Sequence, residues 1–502
     1  MLYHLSFSRR NYVVFSLPID ILLIFTVTTP IIGWIESKFN MKKLCGIHSA
    51  MSLILSGYTL YNIAAQALVN PITIPLGAGS FQSCLRIDAL SIFMASIFIF
   101  LGFFATFYSI KYMEEDTGTS LYYTLLLAMI SGMMGVVFAG DFFTLFIFWE
   151  LMCITSYILV AFRKQHWEPI EAGLKYLVMS AAGSAAILFG LSILYGLTGT
   201  LNFVKISETP AVTSNTWGYF SLTFILTGFG VKAAIFPLHM WLPDAHPAAP
   251  TPISALLSGI VIKTGVYAII RSLFTVYFPM NFSWQIALVI IAILTMSFGN
   301  LAALLQDDIK RLLAYSSIAQ IGYIFFAIST ATTQTALTTM SYSLTAAFMH
   351  VMNHALMKGL LFLCAGAFIY RAGTRSLSEL AGIGHKMPLT AIMFTIGALA
   401  ISGIPPLNGF ISEFMIVYSG VNSGMLIPTI LLLINFLLSF GYYLRLIKII
   451  VWSTPPNTFS EVREAPVLML VPITLLALSC IIIGLYPSPF IDFASKAVKA
   501  LL

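Results

Sequence analysis

Seven ionisable side chains in this sequence stand inside apolar runs, where their types and spacing could move protons. Glu150 lies in FTLFIFWELMCITSYIL and Lys232 in LTGFGVKAAIFPLHMWLP. Lys263 falls in ISALLSGIVIKTGVYAIIR, and His350, His354 and Lys358 recur at i, i+4 and i+8. Glu413 follows the break in AISGIPPLNGFISEF. Burial disfavours the charged form of a lysine, so such a residue exchanges its proton at workable cost, and an acidic neighbour such as Glu150 favours the charge again. Three titratable groups on one helical stripe suit a proton relay. Two His on one helix are too few for a metal site. Glu171 and Lys175 are spaced i, i+4, as in an ordinary helix-surface pair, which leaves Lys175 a secondary candidate. Asp141 opens an apolar run at the expected membrane interface, and Asp20 has no evident partner.

These charges stand out because charge is scarce. Lys and Arg number 25 and Asp and Glu 19 among 502 residues, against 59% hydrophobic residues. A soluble domain carries about 25% charged residues. Composition therefore excludes a soluble enzyme, a disordered scaffold and a nucleic-acid binder. Five dispersed Cys form no disulfide framework, and no iron–sulfur or haem ligand set is visible. No cofactor and no metal are expected.

A bilayer core about 30 Å thick needs about 20 apolar residues per helix. Fourteen segments qualify: 12–34, 45–68, 88–112, 121–139, 142–162, 171–197, 217–240, 251–274, 283–305, 312–330, 340–370, 388–420, 425–451 and 465–486. Their continuous apolar runs predict an all-α polytopic membrane protein rather than a barrel. The first run is too long for a signal-peptide core, and only a short tail is expected after Tyr486. The chain reads as a single membrane domain over 1–502.

With fourteen spans, fourteen basic residues, among them Lys310, Arg371 and Arg463, fall in loops on one side. Seven, among them Arg9, Arg10 and Arg271, fall on the other. Loop positive charge favours the cytoplasm, which puts both termini outside. Lys175, Lys232, Lys263 and Lys358 fall within spans. The 22 Tyr fit interfacial aromatic belts better than a quinone pocket.

Gly228, Gly230 and Pro237 interrupt the seventh span, and Gly403, Pro405, Pro406 and Gly409 the twelfth. Broken helices are tolerated where protein or a water cavity meets the freed backbone groups. The two breaks are five spans apart, an odd number, so units related by that shift are inverted. Inverted five-helix repeats are expected over about 121–274 and 283–451, flanked by helices in 12–112 and 465–486.

The segment KAAIFPLHMWLPDAHPAAPTPISALLSGIVIKTGVY closely resembles the signature of the antiporter-like subunits of complex I, membrane-bound hydrogenases and Mrp sodium/proton antiporters. LRIDALS (85–91), GDFFTLFIFWELM (140–152), NHALMKGLLFLCAGA (353–367) and ISGIPPLNGFISEF (401–414) extend the likeness over nearly the whole chain. The resemblance implies a Glu150–Lys232 pair, Lys263 and His354 as relay groups, and Glu413 at the second break. Its motif also makes His246 a secondary candidate. It implies fourteen helices with both termini outside, in the cell (inner) membrane, beside further antiporter-like subunits. Lys263 with Glu413 looks most like the M type of complex I, and the Lys358 stripe more like Mrp D-type and hydrogenase homologues. The expected function is non-redox proton translocation in a complex I-related respiratory complex, of quinone reductase or membrane-bound hydrogenase type. The alternative is a subunit of an Mrp-type antiporter, which would add sodium to protons as the carried ion.

Overall fold

The computed structural model describes all residues except 1–16, 40, 77–82, 209–215, 278–283, 332–336, 456–458 and 460. Arg9, Arg10 and the first residues of the expected first span lie outside it. The described chain is mostly helical, in the order α1 (Pro18–Phe39), α2 (Leu44–Ala67), α3 (Ala89–Tyr112), α4 (Thr119–Phe138), α5 (Phe142–Val160), α6 (Trp167–Thr198), α7 (Phe203–Ser207), α8 (Thr216–Ala233), α9 (Leu242–Ala248), α10 (Thr251–Leu256), α11 (Ile262–Ser272), α12 (Gln285–Leu304), α13 (Ile309–Ser329), α14 (Leu337–Ala372), α15 (Pro388–Ile401), α16 (Asn408–Asn422), α17 (Leu426–Ile447), α18 (Val467–Leu485) and α19 (Ser488–Lys499). Among the described residues, eleven helices are long and apolar enough to cross a membrane, counting Thr251–Tyr277 as one. Many large apolar side chains on these helices remain exposed, such as Ile427 and Leu437, which an apolar solvent tolerates without penalty.

Three features depart from the sequence expectation. A two-stranded antiparallel hairpin, β1 (Ile72–Pro75) with β2 (Cys84–Ile87), interrupts the all-α reading. Its register pairs Ile72 with Ile87 and Pro75 with Cys84. Each strand is only four residues long, too short for a period-two pattern to stand out beside the apolar helices. The expected tail after Tyr486 contains α19 instead, whose Asp492, Lys496 and Lys499 are exposed while Ala494, Ala497 and Val498 are buried. Finally, π-helical turns occupy Leu257–Val261, Leu273–Tyr277 and Lys448–Trp452.

Local capping accounts for several polar residues. Asp141 caps α5: its carboxylate accepts from the Thr144 N–H and hydroxyl, each at 2.8 Å, and from the Cys84 N–H at 2.8 Å. That ties the hairpin to α5. Asp20 accepts from the Leu17 N–H at 3.4 Å in the first turn of α1.

Asp88 caps α3 through the Ser91 N–H at 3.0 Å and also receives the Arg271 guanidinium at 2.8 and 2.9 Å. Both partners are buried, at 1% and 3% exposure. Arg271 therefore does not stand in a loop: its position at the end of an apolar run concealed its burial. The Arg271 Nε donates to the Tyr267 hydroxyl at 3.1 Å, and Tyr267 donates to the Val137 carbonyl at 2.9 Å. The pair thus joins α3, α4 and α11. Breaking a buried pair on one side costs about 3–5 kcal/mol. Arg271→Met alone is expected to lower denaturation resistance in detergent by about that amount. Asp88→Ser with Arg271→Met keeps a capping residue and is expected to recover most of the loss.

Candidate functional site

The break after α8 follows from its sequence. Ala234 has φ +56° and ends the helix one residue after Ala233. Pro237, three residues further, has no N–H to continue a ladder. The backbone groups released here find partners: Trp241 Nε1 donates to the Val231 carbonyl at 2.8 Å, and the Phe236 N–H donates to Thr295 Oγ1 at 3.1 Å. This seats Lys232 at the end of a helix inside the bundle, at 2% exposure.

Lys232 Nζ donates to the Tyr176 hydroxyl at 2.6 Å and to Ser156 Oγ at 3.3 Å. It also lies 4.5 Å from the centre of the Tyr176 ring, which stacks on Trp241 at 3.9 Å. Glu150 accepts a short hydrogen bond from the Ser184 hydroxyl instead. No ion pair joins Glu150 to Lys232, although both residues are described. The implied pair is open here, with each partner held by hydroxyl groups.

α11 approaches this break closely. A Cβ on Gly265 would lie 2.6 Å from the Ala233 nitrogen, so only glycine permits the contact. Lys263, two residues earlier, is fully buried and donates a short hydrogen bond to the Ser258 carbonyl. That carbonyl belongs to the π-helical turn Leu257–Val261. Such turns disturb the regular ladder and recur at functional sites.

The α14 stripe is wholly buried. His350 bonds Ser412 Oγ at 3.0 Å and Gln320 Oε1 at 2.7 Å. The His354 ring stacks near His350, with centres 6.2 Å apart, and neither of its nitrogens has a hydrogen-bond partner among the described residues. Lys358 Nζ donates to the Leu313 carbonyl at 2.9 Å and to the Tyr443 hydroxyl at 3.0 Å. Lys263 lies within electrostatic range of His246, His350, His354 and Lys358. His246, fully buried, stacks on Phe362 at 4.6 Å with both ring nitrogens unpaired among the described residues.

The second break separates α15 from α16, with Pro405 and Pro406 between them. Glu413 is 6% exposed and has no hydrogen-bonding or ionic partner among the described residues. Gly403 has φ +69°, and a Cβ there would lie 2.0 Å from Glu413 Oε2. The missing side chain makes room for the carboxylate.

Lys175 stands apart from these groups. It is half-exposed and pairs with Glu171 and Asp244, each at 3.0 Å. Lys310, assigned to an inward loop by sequence, is buried and donates to the Ala249 carbonyl at 2.6 Å. It lines a cavity of about 150 Å³ with Arg163, His166, Glu168 and Arg375. Its place at the start of an apolar helix disguised it as an orienting charge.

Residues 139–439 match the family model described as NADH:quinone oxidoreductase/Mrp antiporter, TM, and residues 74–123 match that of the complex I chain 5 N-terminus. The chain belongs to the NADH:quinone oxidoreductase/Mrp antiporter family. It is a complex I-related, proton-translocating membrane subunit. This antiporter-like subunit is 34% identical to F(420)H(2) dehydrogenase subunit N of Methanosarcina mazei over 432 residues, covering 84% of this chain and 86% of the relative. It is also 34% identical to NADH-quinone oxidoreductase subunit N of Trichlorobacter lovleyi over 427 residues, covering 84% and 85%. Both relatives are N subunits, whereas positions 263 and 413 alone pointed to the M type. A solved structure of the membrane-bound sulfane sulfur reductase, an archaeal respiratory membrane complex, contains a chain with TM-score 0.86 and 30% identity, each chain covered to 96%.

The Gly403 geometry gives a direct test. Gly403→Ala is expected to displace the Glu413 carboxylate and lower proton translocation at least about tenfold, the scale of a misplaced proton-transfer group. Proton uptake into membrane vesicles measures it.

Proposed function

We propose that this chain is a non-redox subunit that conducts protons across the cell (inner) membrane within a respiratory complex of quinone reductase or membrane-bound hydrogenase type. Lys232, Lys263, His354, Lys358 and Glu413 form its path. The observation that carries this reading is the cluster of buried titratable groups around Lys263, set between two broken helices. A proton enters from the cytoplasm at Lys232 and the first break. It passes Lys263 and the His354/Lys358 stripe, with water bridging the gaps, and leaves by Glu413 at the second break. His350 and His246 flank the path.

In this reading the chain crosses the membrane fourteen times with both termini outside, as one membrane domain over 1–502. The repeats about 121–274 and 283–451 are inverted copies, each with one broken helix: α8 and α9 in the first, α15 and α16 in the second. Flanking helices in 12–112 and 465–486 complete the domain. Its neighbours are other membrane subunits, further antiporter-like subunits among them.

Closing of the Glu150–Lys232 gap supplies the switch. Opposite charges 4 Å apart attract by about 4 kcal/mol at an effective dielectric of about 20. Moving one charge across 100 mV costs about 2.3 kcal/mol. A pair that opens and closes is therefore strong enough to drive one proton against such a potential. The family's Mrp branch supports a second reading, a sodium/proton antiporter subunit using the same charged line.

Lys232→Ala in the assembled complex is expected to abolish redox-driven proton pumping through this subunit. Full pumping would remove Lys232 from the path. Sodium-gradient-driven proton movement without an electron donor would favour the antiporter reading.

A further inference from the structure

Eight tyrosines stand inside the bundle, where an interfacial belt does not account for them. Tyr108, Tyr122, Tyr176, Tyr267, Tyr277, Tyr323, Tyr442 and Tyr443 are all fully buried. A buried hydroxyl requires a partner, but three of these tyrosines do more than satisfy that need. On α17, Ser439, Tyr442 and Tyr443 are spaced i, i+3 and i+4 and share one face. That face meets Lys358 of α14 and Ser316 and Tyr323 of α13.

A chain of hydrogen-bonded hydroxyl groups runs from Lys358 to Ser439. Lys358 Nζ reaches Tyr443 Oη at 3.0 Å, and Tyr443 Oη reaches Ser316 Oγ at 2.7 Å. Tyr442 Oη donates to Ser316 Oγ at 3.0 Å, and Tyr442 Oη and Ser439 Oγ lie 3.1 Å apart. Tyr323 is joined to this chain through Asn300, and its own hydroxyl donates to the Asn435 carbonyl at 3.1 Å. Asn300 braces the far end, donating to Tyr323 Oη at 2.9 Å and accepting from Tyr442 at 3.1 Å. The Tyr323 ring lies 6.2 Å from that of His350, which bonds Ser412, the residue before Glu413, at 3.0 Å. The histidine stripe offers no such continuity, because both His354 nitrogens lack hydrogen-bond partners among the described residues.

We propose that the hydroxyl chain Tyr443–Ser316–Tyr442–Ser439–Tyr323 carries the proton from Lys358 to Glu413, making these residues part of the conduction path. The proposal rests on the path described under Proposed function and specifies its last leg. An N–H bond of the Lys358 ammonium breaks as the Tyr443 oxygen gains that proton. Tyr443 passes its own proton to Ser316; Tyr442 turns its hydroxyl from Ser316 and Asn300, to which it now donates, accepts from Ser316 and gives its own proton to Ser439, which passes its proton to Tyr323 through one water. Tyr323 turns from the Asn435 carbonyl, to which it now donates at 3.1 Å, and gives its proton to the Glu413 carboxylate, directly or through one water. Lys358 ends as a neutral amine and Glu413 as a neutral acid. Every hydroxyl keeps one proton, so no charge rests on a tyrosine, and rotation of the hydroxyls resets the chain.

The test is redox-driven proton pumping by the assembled complex in vesicles. Ser316→Ala and Tyr442→Phe are expected to slow it at least about tenfold, the lower range for a lost proton-transfer group. Ser316→Thr restores a hydroxyl and is expected to pump. Tyr108→Phe removes a buried hydroxyl outside the chain, one that donates to the Leu363 carbonyl at 3.0 Å, and is also expected to pump. Parental rates in Ser316→Ala and Tyr442→Phe, alongside a silent Lys358→Ala, would overturn the hydroxyl relay and leave the wider path standing. Normal pumping by Lys358→Ala would overturn the path itself. Should the variants fail to assemble, the parent complex decides in mixtures of light and heavy water. A concerted relay of several protons predicts a curved dependence of pumping rate on deuterium fraction, and a linear one contradicts it.

Discussion

The structure depends on the cost of placing charge in an apolar interior. An ion buried there needs a partner of opposite charge or a full set of hydrogen bonds. This chain meets the cost in two ways. Asp88 and Arg271 close on one another in a forked pair and lock three helices together. Lys232, Lys263 and Lys358 instead donate to hydroxyl and carbonyl oxygens, with no carboxylate in contact among the described residues. The first arrangement holds its charge in place. The second leaves the charge expensive to keep, which suits groups that pass a proton onward.

The helix breaks make the second arrangement possible. At Ala234 the chain leaves the helical ladder, and Trp241 and Thr295 take up the released backbone groups. Gly265 lets α11 approach that break, which brings the helix carrying Lys263 against the helix that ends beyond Lys232. Gly403 does the corresponding work for Glu413. The same residues that look like flaws in a membrane helix thus determine where the titratable groups stand.

Much of this was legible in the sequence, for identifiable reasons. Apolar runs about 20 residues long located the helices, and Gly/Pro clusters located both breaks. Charges in mid-run, such as Lys263 and Lys358, were visible because nothing else explained them. Charges at the ends of runs were not: Lys310 and Arg271 read as loop residues yet are buried. The π-helical turn before Lys263 leaves no mark in a run of apolar residues. The tyrosine network was missed because sequence cannot tell a tyrosine at the bilayer surface from one turned inward. The open Glu150–Lys232 pair was equally invisible, since residue types reveal a partner but not its distance.

The central claim is that buried, carboxylate-free lysines deliver protons to Glu413. The most direct measurement is the number of protons pumped per electron by the assembled complex carrying Glu413→Gln, a change that keeps the side-chain shape and removes the titration. The ratio should fall by this subunit's share while electron transfer continues. An unchanged ratio in a fully assembled complex would contradict the account and leave the chain a structural spacer.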